Sequence, residues 1–133
     1  GRRRIRTGHH MPTNDTLRQD LEERTFCFAE AVALSVKHLG KSQTNFEYTR
    51  QLVRASGSLG ANYLKANHAL RKDDFVLRLR AAQKEARESV YWIRLIIHTN
   101  DTETAKVFEP LVAEATELGN ILGAVVRSCQ SKV

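Results

Sequence analysis

The amino-acid sequence predicts an all-α fold, an antiparallel up-down four-helix bundle. Apolar residues recur three and four positions apart along four segments, which is the spacing of one face of an α-helix. Turn-forming residues separate these segments by only about three to five positions, so consecutive helices should be antiparallel neighbours. No segment shows the alternation of apolar and polar residues that is typical of a β-strand.

The first helix is expected near residues 20–39. Asp20 followed by Glu23 resembles a capping box, in which side chains accept hydrogen bonds from the free N–H groups of a helix start. Gly40 is a typical residue for a helix C-terminus. The apolar positions between them are Leu21, Phe28, Val32 and Leu39.

The second helix is expected near residues 44–70 and opens with a further capping-box pattern, Thr44 to Glu47. Its apolar positions are Phe46, Leu52, Leu59, Tyr63, Ala66 and Leu70. Glycines interrupt its middle, although each interior glycine costs up to about 1 kcal/mol relative to alanine. Either the helix breaks there, or Gly57, Gly60 and Ala61 let a neighbouring backbone or a bulky side chain approach closely. We favour the second explanation.

The third and fourth helices are expected near residues 73–98 and 102–130. Asp73 and Asp74 suit the N-terminus of a helix, where acidic side chains are favoured. Pro110 either starts the main part of the fourth helix or lies inside a helix begun near residue 102. The positions of these two helices that we expect to be buried are Leu79, Ile93, Leu118, Leu122 and Val125.

The end of the third helix is apolar in nearly every direction around its axis, between Val90 and Ile97. One core cannot cover all of these side chains, and a helix that is apolar all round is buried on more than one side. The pattern therefore predicts a homo-oligomer. Its expected interface residues are Tyr91, Trp92, Leu95 and Ile96.

The net charge of the 133-residue chain is +6, and much of it comes from the first ten residues. Without Arg2, Arg3, Arg4 and Arg6 the chain has 17 basic and 15 acidic residues, a net charge of +2. Met11 is the only methionine, which favours a vector-derived or disordered tail at 1–10 and a single domain at 11–133. The alternative is a natural basic arm that contacts phosphates. The N-terminus has no signal-peptide pattern, and no apolar stretch approaches the ~20 residues of a membrane span, so we expect a cytoplasmic protein.

Two parts of the chain resemble the bacterial four-helix-bundle proteins encoded by intervening sequences of 23S ribosomal RNA genes. They are the run Arg54–Tyr63 and the pattern from Asp74 to Leu95, which includes Tyr91-Trp92-Ile93-Arg94. The closing Glu114-Ala115, Glu117-Leu118 and Ile121-Leu122 also fit, so the resemblance covers about residues 20–130. It implies a homopentameric ring. It also implies a role related to that of the accessory protein of diversity-generating retroelements, which binds nucleic acid and a reverse transcriptase. Lys65 stands where the family usually has an acidic residue.

The sequence offers no convincing catalytic or metal site. A di-metal four-helix bundle needs Glu-x-x-His pairs, and none occurs. Ser56 and Ser58 have no histidine or acidic partner at a meaningful spacing. Cys27 and Cys129 are expected to be reduced, with a disulfide as the alternative. We therefore predict a protein that is not an enzyme and has no cofactor.

Charge is unevenly distributed along the chain, since residues 44–70 sum to +2 and 71–98 to +3, whereas 16–39 sum to −1 and 101–133 to −2. This two-sidedness predicts a basic face that binds the phosphates of RNA or DNA. The alternatives are solvation or salt bridges between subunits, and a scaffold that binds another protein instead of nucleic acid. The residues predicted to form the basic face are Arg50, Arg54, Lys65, Arg71, Lys72, Arg78, Arg80, Lys84 and Arg87.

Overall fold

A computed structural model describes residues 14–130, which form four long helices and no strand. They are α1 (Asn14–Ser35), which continues into a short 3₁₀ turn (Val36–His38), α2 (Gln43–Asn67), α3 (Lys72–Thr99) and α4 (Thr102–Gln130). The predicted all-α bundle is confirmed, and its helix boundaries agree within a few residues except at the start of α1. The predicted tail at 1–10 lies outside the described residues.

The helices pack in chain order around a square. The contacts between α2 and α3 and between α3 and α4 are the most extensive, α1 packs less closely on α2 and α4, and the diagonal pairs barely touch. Linkers of two to four residues enforce this arrangement, because they can only connect the adjacent ends of antiparallel helices. α3 is thus the helix most firmly held between two neighbours.

The core is built from the helical stripes that the sequence indicates. Leu79, Ile93, Leu118 and Leu122 are fully buried, as predicted. Val125 is only half-buried, because its neighbour Val126 occupies the core position one step around α4.

Two predicted apolar positions of α2 lie outside the core. Phe46 is exposed, and the buried position of that turn belongs to Asn45. Leu70 lies beyond the end of α2 in the linker to α3 and is 99% exposed.

The helix starts differ from the predicted capping boxes. α1 begins six residues before Asp20, so that carboxylate lies inside the helix, where the backbone N–H groups already have partners. α2 is capped by Ser42, whose hydroxyl accepts a hydrogen bond from the N–H of Asn45 at 3.0 Å. Pro110 lies inside α4, which settles the choice in favour of a helix begun at Thr102.

The glycines of α2 do not share one role, although the helix is unbroken through them. At Gly60 an added Cβ would lie 3.2 Å from Oγ1 and 3.4 Å from Cβ of Thr25 on α1, so this glycine permits the close approach of two helices. At Gly57 an added Cβ would meet nothing within 4 Å, and Ala61 is exposed. The predicted close contact is therefore confirmed for Gly60 and wrong for Gly57 and Ala61 within the protomer.

A pair of asparagines joins the start of α2 to the linker between α3 and α4 at one end of the bundle. Each side-chain amide of Asn45 and Asn100 donates to the other's carbonyl oxygen at 3.1 Å. The same amide nitrogens also donate to the backbone carbonyls of Gly40 and Ile96, both at 2.9 Å. Because these partners satisfy the amides, a largely buried polar pair is tolerated there.

Ion pairs close the looser contact between α1 and α4. The guanidinium of Arg24 donates to both carboxylate oxygens of Glu114, at 2.7 and 3.0 Å, and to Glu117 at 3.3 Å. These hydrogen bonds raise the pKa of Arg24 above its ordinary value, with Glu114 as the main cause. Glu114 and Glu117 of α4 thus face α1, on the side of the bundle away from the outer surface of α3.

Candidate nucleic-acid interface

One line of exposed side chains runs along the outer surface of α3. Its members are spaced three and four residues apart in strict alternation, so they lie nearly in line on the helix. The line covers 21 residue steps, or about 31 Å at 1.5 Å per residue. We call it the α3 stripe, and its residues are Leu77, Arg80, Lys84, Arg87, Tyr91, Arg94 and His98.

The α3 stripe carries four cations and no acidic residue. Within residues 14–130 the ion pairs involve other basic side chains, and Arg80, Lys84, Arg87 and Arg94 are all exposed. A shallow groove of about 420 Å³ runs beside four stripe residues and also touches Gln83 and Glu88. The stripe is therefore a firmly held row of positive charge with space beside it for a ligand.

Only three of the nine basic residues predicted from the sequence belong to this stripe, namely Arg80, Lys84 and Arg87. Arg54 and Arg78 face the groove between α2 and α3 instead. The guanidinium of Arg54 lies 3.5 Å from Glu88 and 4.0 Å from Glu85, and that of Arg78 donates to Asn62 at 3.4 Å. The guanidinium of Arg54 on α2 is therefore paired with two carboxylates of α3 and is less available to an external phosphate.

The other four predicted residues lie towards the two ends of the bundle. Arg50 is in the first turns of α2, where it forms a 2.6 Å ion pair with Glu47. Lys65, Arg71 and Lys72 are exposed at the opposite end, and Arg71 lies 3.6 Å from Asp73. The prediction of a single face with nine members was thus too broad, because nearness in sequence placed residues from several sides of two helices in one set.

Sequence reasoning left Arg94 out of the basic face, although a signal for it was present. Counting in steps of three and four from Arg80 leads through Lys84, Arg87 and Tyr91 to Arg94. Periodicity applied to the polar side of α3, and not only to its core side, would have placed Arg94 in line with the other cations.

The predicted oligomer interface at the end of α3 also needs correction. Ile96 is completely buried in the protomer's own core, so it has no surface to offer to another subunit. Trp92 and Leu95 are half-buried, and only Tyr91 is largely exposed, at 56%. The ring of Tyr91 meets that of Trp92 edge to face at a centroid distance of 5.2 Å, and Trp92 in turn lies 5.9 Å from Tyr48 of α2.

A different set of apolar side chains is exposed on α1 and α2. On α2 three of them are seven and eleven residues apart, so they lie on one side of the helix, in line with Gly57, where an added Cβ would meet nothing within 4 Å. We call this row the α2 apolar line, and it consists of Phe46, Val53, Gly57 and Leu64. On α1, Phe26 and Leu34 are exposed as well.

Near the stripe, the surroundings of Glu85 change the pKa of its carboxylate. Its Oε1 is buried without a hydrogen-bond partner. Burial raises its pKa above the ordinary value of 4.5, and the neighbouring carboxylate of Glu88 adds to this, against the opposing charges of Arg54 and Lys84. The pair of carboxylates holds Arg54 in the groove between α2 and α3 rather than on the stripe.

The described residues contain no candidate metal site, since no group of three or more His, Cys, Asp or Glu side chains within 14–130 could hold a metal ion. Cys27 and Cys129 are both free thiols, and burial raises the pKa of Cys27. In the same residues, none of the helices is long and apolar enough to cross a membrane.

Comparison with known families gives the chain its relatives. The profile of the family described as 23S rRNA-intervening sequence protein matches residues 19–124, which include α2, α3 and most of α4. The chain belongs to this family. The family resemblance stated from the sequence is thereby confirmed, whereas the relation to the retroelement accessory protein stays a prediction.

A solved structure from the same group supports the assignment to the 23S rRNA-intervening sequence family. A protein of unknown function from the S23 ribosomal protein family of Bacteroides thetaiotaomicron shares 28% sequence identity with the chain and superimposes with a TM-score of 0.72. The match covers 83% of this chain and 97% of the other. No sequence match was found among proteins with curated descriptions.

Proposed function

We propose that this protein is a non-enzymatic, homo-oligomeric nucleic-acid-binding protein of the cytoplasm, with RNA or DNA held against the α3 stripe. The observation that carries the proposal is the row of four stripe cations, Arg80, Lys84, Arg87 and Arg94, which form no ion pair among the described residues. Lysine and arginine on phosphates supply most of the sequence-independent affinity of proteins for nucleic acid.

The arrangement of the acidic residues supports this choice of ligand. Glu114 and Glu117 are paired with Arg24 across the bundle, and Glu85 and Glu88 are turned towards Arg54. Each of these four carboxylates has a basic partner outside the stripe, so the stripe stays positive, with Glu88 at the edge of the groove beside it. Phosphate groups along a polynucleotide are a matching row of negative charge, and guanidinium groups bind them with two parallel hydrogen bonds.

Assembly into a ring would strengthen a weak site. The resemblance to the intervening-sequence family favours five subunits, and repeated stripes on one assembly would bind a single polynucleotide with avidity. The family name of the solved relative refers to a ribosomal protein, so structured RNA is the first ligand to test.

The test is a charge reversal of the stripe. R80E/K84E/R87E should weaken binding of a labelled structured RNA at least tenfold at low salt, because each reversal removes a phosphate contact and adds a repelling charge. The affinity of this variant should also depend less on salt. K37E/K41E/K106E is the matched control, because it changes the net charge equally at three exposed lysines outside the stripe. Both sets are compared by fluorescence anisotropy across a salt series.

All of these proteins should carry serine at Arg2, Arg3, Arg4 and Arg6, because those arginines could bind RNA by themselves. Equal losses in the stripe variant and the control would show that only total charge matters. An absence of binding at low salt by the parent would refute the proposal.

A protein scaffold is the second candidate. The α2 apolar line favours it, because three exposed apolar side chains lie along one side of a helix, where a partner protein would cover them. The same surface is the first place to look for contacts between subunits.

A further inference from the structure

We infer that the α3 stripe binds a single-stranded polynucleotide, with one base stacked on Tyr91 and the flanking phosphates held by Arg87 and Arg94. The inference rests on the proposed function and adds the class of nucleic acid and the residue that selects it. Tyr91 is not part of the core, and with Ile96 buried the apolar patch predicted to hold another subunit at this end of α3 is incomplete. The ring therefore lies in the middle of a row of cations with Trp92 as its aromatic neighbour.

The ring of Tyr91 is positioned but not covered. Its contact with Trp92 is close to perpendicular, with an interplanar angle of 82°, and Trp92 is itself supported by Tyr48. Even so, 56% of Tyr91 is exposed. A side chain that is held in place while much of its surface remains open loses little conformational entropy when a ligand binds to it.

The cations on either side are placed to hold the backbone of a stacked nucleotide. Arg87 precedes Tyr91 by four residues and Arg94 follows it by three, so their Cβ atoms lie about 5–6 Å from that of the tyrosine. Both are exposed and form no ion pair within the described part of the chain. Aromatic rings between basic side chains are the usual platform for single strands.

The exposed ring of Tyr91 favours a single strand over a duplex. A base can stack on the ring only if its face is open, and in a duplex those faces are covered by neighbouring base pairs. The cations alone would bind the phosphates of either form. Tyr91 is therefore the residue of the α3 stripe that distinguishes single strands from duplexes.

The experiment uses the full chain with serine at Arg2, Arg3, Arg4 and Arg6, as above, and three labelled probes: an oligo(U), an oligo(dT) and a hairpin duplex of matched nucleotide number. The parent should prefer the two single strands, and the two arms distinguish RNA from DNA. Y91A and Y91L should lower single-strand affinity about 5- to 100-fold, the range expected for loss of one base–aromatic stack. Y91F should bind like the parent, and none of the three should alter duplex affinity.

Two controls keep the result specific. F26A removes an aromatic ring of similar exposure from α1 and should leave single-strand affinity unchanged. Trp92 is the only tryptophan in the chain and touches Tyr91, so single-strand binding should change its emission in the parent. In Y91L this change should be reduced, while the circular dichroism spectrum reports intact helices.

The outcomes separate the two proposals. If Y91L binds single strands like the parent, or if the parent binds duplex and single strand equally, the stacking inference is wrong. The proposed function survives that result as long as charge reversal of the stripe still weakens binding. If the parent binds none of the three probes, both proposals fail.

Discussion

At the scale of single residues, Glu85 lies in the groove between α2 and α3, where its charged carboxylate lowers the stability of the folded state. Its buried Oε1 has no hydrogen-bond partner, and Glu88 lies on the same side of α3. Arg54 compensates only in part, because its guanidinium lies 4.0 Å from one carboxylate and 3.5 Å from the other. A carboxylate that is held partly out of water beside another carboxylate is destabilising while it is charged.

We therefore expect Glu85→Gln to stabilise the protein at pH 7. The folded state raises the pKa of Glu85 above 4.5, so the folded state binds this proton more tightly than the unfolded state does. The parent thus recovers the lost stability as the pH falls through the raised pKa, and the advantage of the variant should shrink towards pH 4. Removing an unsatisfied charge this near the surface should add about 0.5–1 kcal/mol at pH 7.

Urea unfolding at pH 7 and pH 4 measures this difference. Glu30→Gln, at an exposed glutamate of α1, is the control and should change stability little at either pH. A Glu85→Gln variant that is less stable than the parent at pH 7 would mean that the ion pair with Arg54 outweighs the burial of the carboxylate.

At the scale of helices, the glycines of α2 separate two effects that look alike in the sequence. Gly60→Leu should destabilise the protein by about 1–3 kcal/mol, because the side chain would be forced against Thr25 of α1. Gly57→Leu is the matched control, since its Cβ meets nothing within 4 Å and leucine is a better helix former. Because Gly57 also lies on the α2 apolar line, both variants are made in an F46D/V53D background, which removes this surface from subunit contacts. Thermal unfolding should then show loss at Gly60 and no loss, or a gain, at Gly57. Equal behaviour would contradict the close contact of α1 and α2.

The helices themselves were predictable because spacing and linker length are local properties of the sequence. The start of α1 was not, since Asp20 and Glu23 imitate a capping box that the longer helix makes unnecessary. The sequence also does not show that Gly60 permits a close contact between helices whereas Gly57 does not. This difference depends on which side of α2 meets Thr25, and that contact joins residues 35 positions apart.

The sequence predicted that the candidate site would be basic, but it did not predict which basic residues would form it. Sequence sums correctly placed the excess of basic residues in α2 and α3, but the protein uses part of this set in pairs such as Arg54 with Glu88 and Arg50 with Glu47. Such pairs form across helices or within a turn according to side-chain direction, which composition does not contain. Arg94 was recoverable from periodicity alone.

At the scale of the whole molecule, we expect a closed homo-oligomer, with five subunits as first choice. The exposed side chains of the α2 apolar line would leave a monomer with an association-prone surface. Light scattering at micromolar concentration should therefore give a mass several times the 15.1 kDa of the chain. F46D/V53D should shift the assembly towards monomers, whereas L77D, on the stripe, should not. A monomeric parent would remove the support for avidity.

The asparagine pair at the end of the bundle has a consequence for how the chain selects one arrangement among several. Apolar helices can slide past one another by a turn and still bury much of their area, so the core alone discriminates weakly between registers. Asn45 and Asn100 do not tolerate such a shift, because their amides would lose the two hydrogen bonds that they exchange, and only the native alignment of α2 with the linker between α3 and α4 supplies these. A polar contact near the core thus acts as an alignment key for the bundle, in the way that a buried asparagine sets the register of a coiled coil.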